Sequence, residues 1–160
     1  MVRSQYGRQD RLLKEKRHDV YAEKSKFPEP TRCQECGAIF ENGRWSWRTT
    51  DKEVNQIICP ACRRIADKCP AGIIELKGEF FRIHKEEILN LIRNIEKQEK
   101  GERALERIMS IKEGRQYTVV TTTGIHLARR IGEALARSYK GEYSFQYADA
   151  ETTIRIHWER

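Results

Sequence analysis

"YTVVTTTGIHLARRIGEAL", residues 117–135, changes hydrophobic period within a single turn. Residues 117–123 are rich in β-branched side chains, which suit a strand. From Gly124 onward the apolar positions are Leu127, Ala128, Ile131, Ala134 and Leu135, spaced for one face of a helix. His126, Arg129, Arg130, Glu133, Arg137 and Lys140 fall on the other face. A strand running directly into an amphipathic helix predicts a helix packed on a sheet. Gly141 is placed to stop that helix.

The flanking segments extend the pattern. "ERIMSIK", the turn "EGRQ" and "YTVVTTT" read as a hairpin. "HKEEILNLIRNIEKQEK" places Ile88, Leu91, Ile92 and Ile95 at helical spacing, with Gly101 at its expected end. "AGIIELKGEFFRI" reads as two short strands around Gly78, and "EYSFQYA" and "TTIRIHW" as a hairpin around "DAE". The order predicts an α+β fold of the ferredoxin-like (split βαβ) kind over residues 71–160, with an antiparallel sheet and both helices on one face. Tyr143, Phe145 and Tyr147 share one strand face, as do Ile154, Ile156 and Trp158. Alternation assigns them to the core under the helices, with base stacking as the alternative. Arg155 and His157 then lie on the open face.

The first turn of the helix at 124–140 contains no Asp or Glu. Thr123 is the natural N-cap, and His126 stands where a capping box has Glu or Gln. Cations at the positive end of a helix dipole, beside exposed N–H groups, describe a phosphate site at Thr123, Gly124, His126, Arg129 and Arg130. The plainer alternative is a capped helix with a solvated basic face. The motif lacks the G-x4-G-K-[ST] frame of a P-loop.

Upstream, Cys33/Cys36 and Cys59/Cys62 form two C-x2-C pairs. Four soft thiolates converging in pairs suit structural Zn2+ in a zinc ribbon over residues 31–70, with "CQECG" and "CPACR" as its two knuckles. Four thiolates leave no open position for a catalytic water, and two matched pairs argue against a redox motif. Between them, the Asn42–Gly43 dipeptide with alternating flanks predicts the ribbon's hairpin. Cys69 is left over, either as a small buried hydrophobe or as a ligand that would have to displace one of the four. Arg44, Arg48, Arg63 and Arg64, with Trp45 and Trp47 among them, suit phosphates and unstacked bases. Equally, the tryptophans could shield a ribbon too thin for its own core.

Of the 160 residues, 38% are hydrophobic and 34% charged, and the net charge is +7. The pI near 9.3 points to an anionic partner, and the mean hydropathy of −0.79 to an extended, solvated part of the chain. Residues 1–30 are expected to supply that part, as a basic arm closed by "KFPEPTR". No apolar run approaches the ~20 residues of a membrane span, and the first residues lack a signal-peptide core. A cytoplasmic protein is expected.

"CQECGAIFENGRWSW", "CPACRRIADKCPAG", "LERIMSIKEG" and "VVTTTGIHLARRIGEAL" together resemble a group of small bacterial and archaeal zinc-ribbon proteins of unassigned role. More distantly, cysteine pairs followed by an α+β module with this strand–helix junction are similar to the N-terminal half of the large-ribosomal-subunit export adaptor family. That family carries more cysteines and binds the large subunit at its intersubunit face. The resemblance implies a ribosome-associated factor in maturation, quality control or dormancy, without implying export. The expected function is therefore non-enzymatic binding of ribosomal RNA or the ribosome, with Arg44, Arg48, Arg63, Arg64, Arg129, Arg130 and Arg137 on phosphates. The rivals are a DNA-binding, transcription-associated ribbon, a nucleotide module built on the "TTTG" turn, and a protein adaptor meeting an acidic partner.

Overall fold

The computed structural model describes Tyr21, residues 27–148, Ala150 and residues 152–160. The expected basic arm lies almost wholly outside the described residues. Two sheets organise the rest. The first contains β1 (Thr31–Cys33), β2 (Ile39–Glu41), β3 (Arg44–Ser46) and β4 (Asn55–Ile57), in the order β3-β2-β1-β4. Helix α1 (Pro60–Asp67) follows it. The β2–β3 hairpin turns at Asn42 and Gly43 with φ of 56° and 76°, both positive, as the dipeptide predicts. The Glu29 carboxylate accepts both turn N–H groups, at 3.2 and 2.8 Å.

The second unit runs β5 (Gly72–Lys77), α2 (Glu79–Ile83), α3 (Lys85–Glu102), β6 (Ile108–Glu113), β7 (Tyr117–Thr122), α4 (Ile125–Tyr139), β8 (Glu142–Ala148) and β9 (Thr153–Glu159). Its sheet order is β6-β7-β5-β9-β8. Ile74 and Leu76 of β5, Val120 of β7 and Ile154, Ile156 and Trp158 of β9 form one layer of the core. Ile88, Leu89, Ile92 and Ile95 of α3 and Leu127, Ala128, Ile131 and Leu135 of α4 form the other. The α+β character and the open-face position of Arg155 and His157, both exposed, follow the sequence pattern.

Three expectations are corrected. The sheet is mixed rather than antiparallel, because β9 pairs parallel with β5 (Ile74 opposite Ile156) and antiparallel with β8. Burial explains the arrangement. Ile154, Ile156 and Trp158 are all at most 1% exposed and need a neighbour on each side, so the final hairpin puts β9 inside and β8 at the edge. Second, "EFFRI" is helix α2, not a strand. Gly78, at φ +108°, turns the chain sharply after β5, and Phe81 then reaches the edge of the Trp158 ring. Third, α3 continues through Gly101 to Glu102. Of the β8 aromatics, Tyr143 and Tyr147 pack against the core, whereas Phe145 remains 44% exposed.

Trp158 satisfies its buried indole N–H by donating to the Lys140 carbonyl at 2.7 Å, which ties β9 to the end of α4. At the other end of that helix, Gly72 lets β5 approach closely. A Cβ there would lie 2.3 Å from Thr122 Oγ1 and 2.4 Å from Ala128 Cβ. The Thr122 hydroxyl is itself held by the Gly124 carbonyl at 2.8 Å, so it cannot retreat freely. Gly72→Ala should cost about 1–3 kcal/mol by overpacking, read as a lower urea midpoint with an unchanged denaturant slope.

Candidate metal centre and its cationic surroundings

The four sulfurs of Cys33, Cys36, Cys59 and Cys62 all lie within 4.8 Å of one another. A tetrahedron of thiolates at ~2.3 Å from a metal has edges of about 3.8 Å, and Cys36 Sγ and Cys59 Sγ are 3.8 Å apart. The cluster is therefore able to coordinate a metal ion. Cys33 ends β1, and Gly37, at φ +80°, closes the turn carrying Cys36. The second pair is not a knuckle. Cys59 is the N-cap of α1, Pro60 is its first residue, and Cys62 lies in its first turn. Proline fits there because its missing N–H has no helical partner to lose.

Backbone donors already point at the sulfurs. Cys59 N–H donates to Cys33 Sγ at 3.2 Å, and Cys62 N–H to Cys59 Sγ at 3.4 Å. Burial raises the Cys33 thiol, but N–H groups of Cys36, Cys59 and Glu35 outweigh it and bring its pKa down to about 6. Burial pushes the Cys59 and Cys62 thiols up. A metal entering this site displaces protons, as thiolate ligation requires. Cys69 takes no part and, contrary to expectation, is exposed.

The residue that completes the centre is Arg107, which the sequence pattern does not mark. It directly precedes β6 and is 7% exposed. Nη1 donates to Cys62 Sγ at 3.2 Å, and Nη2 to Cys36 Sγ at 3.1 Å and Cys59 Sγ at 3.6 Å. Nε donates to the Ala104 carbonyl at 2.9 Å, fixing the plane of the fork. Burial works against the guanidinium charge, but the thiol sulfurs more than offset it and move its pKa upward. Four thiolates around a divalent ion leave two net negative charges, and Arg107 cancels one inside the protein. Trp47 covers the guanidinium, with its ring centroid 5.4 Å away, and donates its indole N–H to Lys100 O at 2.8 Å.

The expected nucleic-acid contacts divide into separate groups. Arg44 and Arg48 are exposed and, among the described residues, have no carboxylate partner. Trp45 packs with Phe27 and Phe40 at 5.6 and 5.5 Å and covers the cysteine cluster, which fits the shielding alternative. Trp47 is 37% exposed. Arg64 is buried, donates to Cys69 O at 3.0 Å and lies 4.3 Å over the Tyr21 ring, so it is not a surface contact. Arg63 is half-buried.

The group at the start of α4 differs most from expectation. The N-cap is Gly124, not Thr123, and Glu106 Oε2 accepts the Leu127 N–H at 3.1 Å. The chain's own carboxylate thus takes the place reserved for a phosphate. A Cβ on Gly124 would lie 2.0 Å from Glu106 Oε2, so glycine here makes room for that carboxylate. Thr123 instead accepts from Arg107 N–H at 2.9 Å and donates to Leu105 O at 2.5 Å. His126 is exposed. Arg129 is held by Glu133 at 3.2 Å and by Tyr147 Oη at 2.9 Å, and Arg130 pairs with buried Glu99. Arg137 is exposed and has no carboxylate partner among the described residues.

A scan against protein-family models and a search of curated proteins found no match to the chain, so the chemistry rests on these residues alone. Replacing Arg107 by Met removes the fork while keeping much of its volume. It should weaken metal affinity about 10- to 100-fold, measured with zinc as the probe in competition with a chromophoric chelator. Burial raises the Glu106 carboxyl, against the pull of the Leu127 N–H. A raised acid binds its proton more tightly folded than unfolded, so stability falls as pH rises from the ordinary glutamate range to the raised value. Glu106→Gln should flatten that fall in urea titrations across the window; an unchanged pH profile would refute the assignment.

Proposed function

We propose that the four cysteines hold zinc and that the protein is a non-enzymatic, cytoplasmic RNA-binding factor acting on the ribosome. The large subunit is the partner suggested by the resemblance of its cysteine pairs and strand–helix junction to the export adaptors. The ferredoxin-like reading of the second unit belongs to the same proposal, with β9 as an added internal strand. All-thiolate, tetrahedral ligation favours zinc among the common metals.

The observation that carries the RNA reading is the unneutralised cationic surface around the metal centre. Arg44, Arg48, Lys97 and Lys100 are exposed, lack carboxylate partners among the described residues, and accompany the exposed Trp47. The net charge of +7 agrees with it. A nucleotide module on the "TTTG" turn loses its ground, because Glu106 occupies the helix N-terminus there. No helix of the described residues is long and apolar enough to cross a membrane.

Sedimentation of a cell lysate through sucrose tests the proposal. The protein should travel with ribosomal particles at low salt and leave them as salt rises, with log affinity falling by ~0.7–0.9 per phosphate contacted for each decade of salt. Migration with free protein at low salt would overturn it.

A further inference from the structure

A shallow hollow opens where the first unit meets the C-terminal end of α3. Cys36, Trp47, Lys97, Lys100 and Gly101 line it. Fifty or more positions separate Cys36 and Trp47 from Lys97, Lys100 and Gly101, and no motif joins the two lysines to the tryptophan. Lys100 Nζ lies 5.5 Å from the Trp47 ring centroid. The hollow therefore offers an aromatic ring, two ammonium groups and, at Gly101, a position without a side chain.

The geometry points to this hollow as the seat of one unpaired nucleotide of a bound RNA, its base against Trp47 and its flanking phosphates on Lys97 and Lys100. The inference rests on the RNA-binding reading above and locates its single-strand contact. Three features favour this occupant. The indole ring is anchored by its own N–H on Lys100 O, so it is preorganised and loses little freedom on stacking. Among the described residues, Lys97 and Lys100 have no carboxylate partner to displace. Arg107, beneath the ring, is committed to the thiol sulfurs, so the indole is backed by a fixed cation instead of a mobile side chain. Stacking on an aromatic with cations tracking the backbone is how proteins hold single strands, and a continuous duplex cannot present a free base face to such a hollow.

The location differs from the one the sequence pattern favours. The arginines of α4 nearest its start are tied to Glu133, Tyr147 and Glu99, whereas Lys97 and Lys100, near the end of α3, have no carboxylate partner among the described residues. Lysines near a helix C-terminus also suit the helix dipole, so the folded protein holds them there at little cost.

Binding of a mixed-sequence single-stranded RNA and its duplexed form to the zinc-loaded protein is the test. Wild type should prefer the single strand. Lys97→Gln with Lys100→Gln should reduce the slope of log affinity against log salt by about 1.4, ~0.7 for each lost contact. Trp47→Ala should weaken single-strand binding about tenfold, while Trp47→Phe, which keeps a ring, should retain most of it. Metal content and urea midpoint, measured in parallel, identify variants that have lost the fold. If wild type binds RNA but the lysine pair and Trp47→Phe/Ala series leave affinity and salt slope unchanged, the hollow is not the site and the RNA reading stands. Equal affinity for duplex, or tighter binding of an acidic polypeptide, also overturns the inference. No binding to either RNA form overturns both.

Discussion

A buried guanidinium facing three cysteine sulfurs is the contact on which the arrangement of this protein depends. Without a cation, an all-thiolate metal centre against the α+β unit would bury uncompensated negative charge, which low-dielectric surroundings penalise heavily. Arg107 supplies that charge from the second unit, so electrostatic compensation and docking are one interaction. Leu105, beside it, packs on the cysteine cluster and adds an apolar seam.

The neighbouring residue extends the same logic. Glu106 turns to the start of α4 and accepts a helix N–H, while Thr123 pins both ends of the segment. Two consecutive residues of opposite charge thus face two sites of opposite polarity: the cysteine sulfurs on one side, a helix N-terminus on the other. Neither is left to solvent, and both stiffen the passage from α3 to β6.

Local signals were readable wherever one stretch of chain sets its own geometry. The cysteine spacing, the Asn42–Gly43 turn, the junction at Gly124 and the alternation of β8 and β9 all lie within a few residues. What escaped is long-range. Arg107 and Cys36 are separated by 71 positions, and an arginine at the start of a strand has no periodicity to betray it. The missing acid in the first turn of α4 was a true signal, but its answer came from Glu106 rather than a ligand. The parallel β5–β9 pairing depends on which apolar face is buried deeper, a comparison across strands. In "EFFRI", Phe80 and Phe81 are too few to establish a period, and Phe81's place beside Trp158 decides the helix.

Chain order adds a matter of timing. All four cysteines precede Arg107, and Cys62 does so by 45 positions. At ~5–20 residues per second, synthesis spends roughly 2–9 s between them. A growing chain thus owns a complete set of ligands before it owns their counter-charge. A divalent ion bound by the four thiolates in that interval would lack the Arg107 fork, which only the second unit brings.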